Sequence, residues 1–92
     1  MKLVSTNRFT NYGKQVDLFT NLYEHGDFFI VVEGYNNGHY NVWLRLKSRE
    51  NFQQMHVFGG VAESLEAIEQ SIEENMDSYI ANFRERYGTG IC

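Results

Sequence analysis

The chain lacks several features that mark whole classes of protein. It has no proline, and its single cysteine, Cys92, is the last of 92 residues. One thiol cannot build a disulfide framework, which favours a reducing compartment. The longest apolar run, 28–32, has five residues, far fewer than the ~20 that a membrane span needs. With no signal-peptide pattern at the N-terminus, these absences predict one soluble, cytoplasmic domain with no membrane segment.

Charge is sparse and unevenly distributed along the chain. Charged residues make up 22% and apolar residues 42% of the sequence, a balance typical of globular proteins. Residues 1–60 carry six basic and five acidic side chains, whereas residues 61–92 carry two basic and seven acidic ones. The C-terminal third is therefore expected to present a negative surface.

The strongest local pattern predicts a β-hairpin. Two runs rich in β-branched and aromatic residues, 28–32 and 40–46, flank a loop at 36–38 with the sequence Asn-Asn-Gly. A three-residue loop pairs Val32 with Val42, separates apolar from polar side chains, and places the loop glycine at a left-handed position. A two-residue loop would mix a glutamate with the apolar residues, so the three-residue register is preferred.

This register divides the hairpin into two faces. We define the core face by Phe28, Ile30, Val32, Tyr40, Val42, Leu44 and Leu46. We define the outer sheet face by Phe29, Val31, Tyr35, His39, Trp43 and Arg45, with Glu33 and Asn41 among them. Phe19 and Tyr23 are expected to join the outer sheet face if the preceding segment forms the neighbouring strand.

The whole chain is predicted to be a single α+β domain, 1–92. Its segments are an edge strand or N-terminal arm at 1–13, a β-sheet at 14–58, a helix at 62–87 and a loose tail at 88–92. Residues 14–23 fit both a strand and a helix, and the strand is preferred. The expected architecture is an antiparallel, three- to four-stranded meander packed on one long C-terminal helix.

The predicted helix has one apolar and one acidic side. Its apolar stripe, at spacings of three and four, consists of Leu65, Ile68, Ile72, Met76, Tyr79, Phe83 and Tyr87. We define the acidic face by Glu63, Glu66, Glu69, Glu73, Glu74 and Asp77. Exposed helices usually mix charges to gain i,i+4 pairs, but no basic residue lies between Val61 and Ser78. The acidic face is therefore a candidate surface for a partner.

No pattern in the sequence indicates catalysis. His25, His39 and His56 are 14 and 17 positions apart, which matches no local metal-ligand motif. Gly59-Gly60 precedes the predicted helix without the lysine or third glycine of a phosphate-binding loop. The sequence therefore predicts no catalytic residue, no metal site and no cofactor.

Function is expected to reside in the two unusual surfaces. The acidic face suits a protein partner with a basic surface, such as a groove that binds nucleic acid. The aromatic outer sheet face should not stay bare. Residues 1–13 could fold over it, another chain could cover it as a homodimer or partner, or it could stack nucleobases. In that last case Arg45, Lys47 and Arg49 would follow the phosphates, but the net charge of −4 argues against nucleic acid.

The leading hypothesis is a non-enzymatic protein-binding module. Short acidic chains without catalytic residues occur among phage and mobile-element inhibitors of host defence, such as anti-CRISPR and anti-restriction proteins, which act in the cytoplasm of a bacterial host. The likeness is one of type, and no motif carries it. The alternatives are a small RNA- or single-strand-binding domain that uses the outer sheet face, and a small structural or assembly subunit.

Overall fold

The structure, a computed structural model, describes residues 1–11, 16–48 and 54–87. Its elements are β1 (Lys2–Asn11), β2 (Val16–His25), β3 (Phe28–Tyr35), β4 (His39–Leu46), β5 (Gln54–Val61) and α1 (Leu65–Tyr87). The strands form one antiparallel sheet in the order β1-β2-β3-β4-β5. The α+β class is confirmed, but the sheet has five strands where three to four were expected.

The additional strand is β1, which runs along the edge of the sheet and pairs only with β2. All of its side chains from Lys2 to Phe9 are exposed, so neither of its faces required an alternating apolar pattern. Residues 16–25 form a strand, as preferred for that segment. At the other edge, β5 continues through the two glycines to Val61.

The β3–β4 hairpin has the register that its side-chain pattern predicts. Val32 pairs with Val42 and Ile30 with Leu44. Gly38 has a φ of +86°, a left-handed conformation that costs any residue with a Cβ atom. Its amide donates a hydrogen bond to the Tyr35 carbonyl oxygen at 3.1 Å, which closes the three-residue loop.

Helix α1 is continuous over 23 residues and starts later than the expected residue 62. The Ser64 hydroxyl oxygen accepts a hydrogen bond from the Ala67 amide at 3.1 Å, so Ser64 is the N-cap residue and the helix begins at Leu65. The described part of the helix runs to Tyr87. The predicted tail at 88–92 lies outside the described residues.

The core lies between α1 and one face of the sheet. Its buried apolar residues are Tyr23, Phe28, Ile30, Val32, Tyr40, Val42, Leu44, Met55, Ile68, Ile72, Met76 and Phe83. At its centre the rings of Phe28 and Phe83 meet edge to face at 5.3 Å, the geometry that aromatic pairs favour. The core face of the hairpin and the apolar stripe of the helix are therefore both packed as their patterns predict.

The expectation that Phe19 and Tyr23 lie on the outer sheet face is wrong. Tyr23 pairs with Ile30 in the register of β2 with β3, and it is buried in the core. Phe19 pairs with Gly34 on the same side, where its ring occupies the space of the missing Cβ atom. The even-numbered residues of β2, Leu18 to Glu24, face outward instead.

The packing of Leu44 and Ile72 in one buried cluster generates a first prediction. Leu44→Ala or Ile72→Ala removes side-chain volume from positions only 1% and 2% exposed, so each should lower the free energy of unfolding by roughly 2–5 kcal/mol. Chemical denaturation monitored by circular dichroism measures this loss. The control Glu74→Ala, at an exposed helix position, should change stability by less than about 0.5 kcal/mol. Losses below about 1 kcal/mol at both core positions would contradict the assigned core.

The left-handed conformation of Gly38 generates a second prediction. A Cβ atom there would have room, with its nearest neighbours at 3.8 Å, so Gly38→Ala isolates backbone strain and should cost about 1–2 kcal/mol. Gly38→Asn should cost less, because asparagine tolerates this conformation better than alanine. The same denaturation measurement compares the two variants. Equal losses would show that the loop does not depend on its left-handed residue.

Candidate functional site

The strand register arranges the outer sheet face in rows that run across the strands. One row holds Phe29 and Arg45, which are direct cross-strand partners. The next holds Val31 and Trp43, and the third holds Glu33 and Asn41. We name these the arginine row, the tryptophan row and the glutamate row. The tryptophan row is the middle one, and each of the other two rows is two residues away along the strands.

Cations cover the aromatic ring of the arginine row. The Arg45 guanidinium carbon lies 5.3 Å and the Lys47 amine nitrogen 5.4 Å from the centre of the Phe29 ring. Lys47 also pairs with Glu24 on β2 at 3.2 Å. The Nε atom of Arg45 is buried and has no hydrogen-bond partner among the residues that the structure describes. Buried polar groups normally have a hydrogen-bond partner, so the Nε atom of Arg45 is available to an acceptor from outside the described part of the chain.

Trp43 of the tryptophan row belongs to a cluster of three side chains with His56 of β5 and Asn41 of the glutamate row. The rings of Trp43 and His56 lie 5.3 Å apart, and His56 Nε2 is 3.1 Å from Asn41 Oδ1. A Cβ atom on Gly59 would come within 2.7 Å of the His56 ring, so the glycine leaves space for the ring. A β-bulge between Val42 and Trp43 in the β4–β5 register pairs His56 with Trp43. His56, which no sequence motif connected to other residues, thus belongs to the outer sheet face.

Nothing within residues 1–11, 16–48 and 54–87 covers the outer sheet face. Helix α1 packs on the opposite side of the sheet, and residues 2–11 lie in the sheet as β1. The alternative in which an N-terminal arm folds over Trp43 is therefore wrong. Tyr35 and His39 lie beyond the glutamate row, at the end of the hairpin near its loop. Arg49, the third base considered for phosphate contacts, lies outside the described residues.

The acidic face is exposed along much of α1 and the turn before it. Glu63, Glu66, Glu74 and Asp77 are exposed. Gln70 donates a hydrogen bond to Glu74 at 3.1 Å one turn further along the helix. The first basic residue after this stretch is Arg84, in the last turn. The helix and the turn before it therefore present four exposed carboxylates, three of them on α1, and none of the four has an ion-pair partner among the described residues.

Two members of the acidic face have partners within the chain. Glu73 pairs with the α-amino group of Met1 at 2.5 Å. Glu69 is half-buried, and its Oε2 atom accepts a hydrogen bond from the Tyr23 hydroxyl at 2.6 Å. The sequence contains a signal for the burial of Glu69, because it lies four positions after Leu65 and three before Ile72. That spacing places it at the edge of the apolar stripe.

Tyr23 is the centre of a small polar network inside the core. Its hydroxyl accepts a hydrogen bond from Asn21 Nδ2 at 3.0 Å while it donates to Glu69. Burial raises the pKa of the Tyr23 hydroxyl well above its ordinary value, and the hydrogen bond to Glu69 raises it further. The network connects β2 to α1, and sequence reasoning missed it because Tyr23 was expected on the other face.

The described residues show no cluster of metal ligands. No group of three or more histidine, cysteine, aspartate or glutamate side chains is arranged to hold a metal ion within that part of the chain. None of the helical residues described forms a stretch long and apolar enough to cross a membrane. The two surfaces defined above are therefore the candidate functional sites.

Comparison of the chain with protein-family models, with curated proteins and with solved structures found no match. The arrangement of the two surfaces is thus the basis for a functional proposal.

The buried Tyr23 hydroxyl generates a third prediction, about alkaline pH. Because its folded pKa is raised, ionisation favours the unfolded chain, and its contribution to stability is complete below the ordinary tyrosine pKa of about 10 and falls above it. Thermal unfolding measured from about pH 8 to pH 11 should show a steeper loss for the wild type than for Tyr23→Phe. Tyr79→Phe, at another half-buried tyrosine, serves as the control. An identical pH dependence for wild type and Tyr23→Phe would contradict the assignment.

Proposed function

We propose that this protein is a non-enzymatic protein-binding module whose acidic face occupies a basic groove on a partner protein. The observation that carries the proposal is the run of exposed carboxylates on α1, with no basic residue between Val61 and Ser78. A helix face that served solubility alone would be free to mix charges and gain stabilising i,i+4 pairs. Helix α1 has no basic residue that could form such pairs before Arg84.

A line of exposed carboxylates along one helix suits a groove that binds nucleic acid. From Glu66 to Asp77 the helix rises by about 16 Å and carries five acids, of which Glu66, Glu74 and Asp77 are exposed and have no ion-pair partner among the described residues. One strand of DNA carries a charge about every 3.4 Å along its axis. A partner that neutralises phosphates with lysine and arginine would meet a line of negative charges on α1 as well, although one less dense than that of a DNA strand. An inhibitor of host defence encoded by a phage or mobile element would act in this way, by occlusion.

Glu69 and Glu73 bind groups within the chain, which leaves the other acids of α1 free to contact a partner protein. Glu69 is committed to Tyr23, and Glu73 to the α-amino group of Met1. Glu66, Glu74 and Asp77 remain exposed on α1 and are the proposed contact residues. Their role is steering and specificity, since exposed complementary charges act mainly on the association rate.

A matched pair of charge reversals tests the proposal. The variant Glu74→Lys with Asp77→Lys alters the acidic face, and the control Asp27→Lys with Glu85→Lys makes the same change at exposed positions outside it. Each protein is immobilised and exposed to cell lysate at low salt. Basic proteins retained by the wild type should also be retained by the control, and they should be lost from the acidic-face variant. Association of a purified retained protein should be slowed at least about tenfold by the acidic-face variant.

Competition with duplex DNA tests the groove itself. A partner held through its nucleic-acid groove should be released from the immobilised wild type as DNA is added. If the acidic-face variant retains the same proteins at the same rate as the wild type, the carboxylates serve solubility only and the proposal is wrong. Retention that DNA does not reverse would place the contact elsewhere on the partner.

A further inference from the structure

The two sides of the tryptophan row on the outer sheet face differ in net charge. The arginine side holds Arg45 and Lys47, with Glu24 of β2 paired to Lys47, and the other side holds Glu33. Arg45 lies two residues along β4 from Trp43 on one side, and Glu33 lies two residues along β3 from Val31 on the other. Both charged side chains are half-buried. Their rows are separated by four residues, or about 13 Å, which is too far for the two to form an ion pair within one chain.

We propose that the outer sheet face binds the same face of a second copy of this chain, around a two-fold axis that runs along the tryptophan row. Rotation about this axis places the arginine row of one copy over the glutamate row of the other. Arg45 then lies over Asn41 of the second copy, with Glu33 of that copy one strand or about 4.8 Å to the side. The arginine side chain spans this distance, and the same contact forms twice. Trp43 and Val31 lie on the axis and meet their own counterparts, as a self-complementary interface requires.

The distribution of charge on the outer sheet face favours this axis over a two-fold axis that runs along the strands. An axis along the strands would place the arginine row over the arginine row of the other copy. Arg45 and Lys47 of each copy would then face the same residues across the interface, and like charges in contact are costly. The proposed axis also brings a carboxylate to the guanidinium of Arg45, whose Nε atom has no partner among the described residues, and carboxylates are the strongest class of partner for arginine.

The size and composition of the face suit a second copy. Five strands about 4.8 Å apart and eight residues long span roughly 24 by 27 Å, so the contact buries at least about 1,300 Å² over both copies, within the range of specific interfaces. Its centre holds Trp43, Phe29 and Arg45, and aromatic and arginine residues are the usual anchors of such contacts. The sheets would form the two inner layers of a four-layer sandwich. Both acidic faces would stay exposed on its outside, so the dimer does not depend on the partner proposed for them.

A charge-swap series tests the interface. Arg45→Glu and Glu33→Arg each bring like charges together and should raise the dimer dissociation constant at least about tenfold. The double variant Arg45→Glu with Glu33→Arg restores both pairs and should dimerise more tightly than either single variant. The control Arg8→Glu makes the same change on β1, opposite Phe19 on the helix side of the sheet, and should dimerise like the wild type. Sedimentation equilibrium measures the masses, and circular dichroism confirms that each variant is folded.

The single tryptophan of the chain gives an independent readout on the unmodified protein. Trp43 emission should shift to longer wavelength on dilution, in step with the fall in mass, because dissociation exposes the indole ring. A wild type that stays monomeric at about 100 μM, well above the dissociation constants of most specific dimers, would overturn the proposal. So would a double variant as weak as the single ones. Quenching of Trp43 in a monomer by a single-stranded oligonucleotide would assign the face to nucleic acid instead.

Discussion

The fold depends on the packing of one amphipathic helix against one face of a twisted sheet. A sheet of five strands has two faces, and a single helix can cover only one of them. Within the part of the chain that the structure describes, all twelve buried apolar residues lie in that one interface. A domain of this size has little stability to spare, so the interface between α1 and the sheet must supply nearly all the burial that keeps the chain folded.

This constraint explains which parts of the fold the sequence can predict. Where one side of an element is buried and the other is not, side chains alternate with the period of that element. The hairpin of β3 and β4 and the stripe of α1 meet this condition, and the pairing of Val32 with Val42 and the burial of Ile72 follow directly. The same logic identifies both the outer sheet face and the acidic face, because each is the side that the core does not use.

The elements that the sequence predicts poorly do not meet that condition. Strand β1 is exposed on both sides, so its residues carry no period that would distinguish a strand from an arm. Strand β2 has apolar residues on both faces: Leu18 and Leu22 point outward, and Phe19 and Tyr23 point to the helix. In β5 a bulge next to Val42 interrupts the alternation. The burial of Glu69 depends on Tyr23, a residue 46 positions away, and local pattern cannot reveal such a contact.

The strand order has a consequence for how the chain reaches this structure. Each strand pairs only with its neighbours in sequence, so all the strand pairings are local, and local contacts form quickly because they close short loops. The long-range contacts are those between the sheet and the helix, of which Phe28 with Phe83 spans most of the chain. The strands can therefore pair one after another during synthesis. The apolar face of the sheet is not fully covered until the helix as far as Phe83 has emerged from the ribosome. Until then the nascent chain exposes the surface that its core will later bury, so α1 decides whether the apolar face of the sheet is covered.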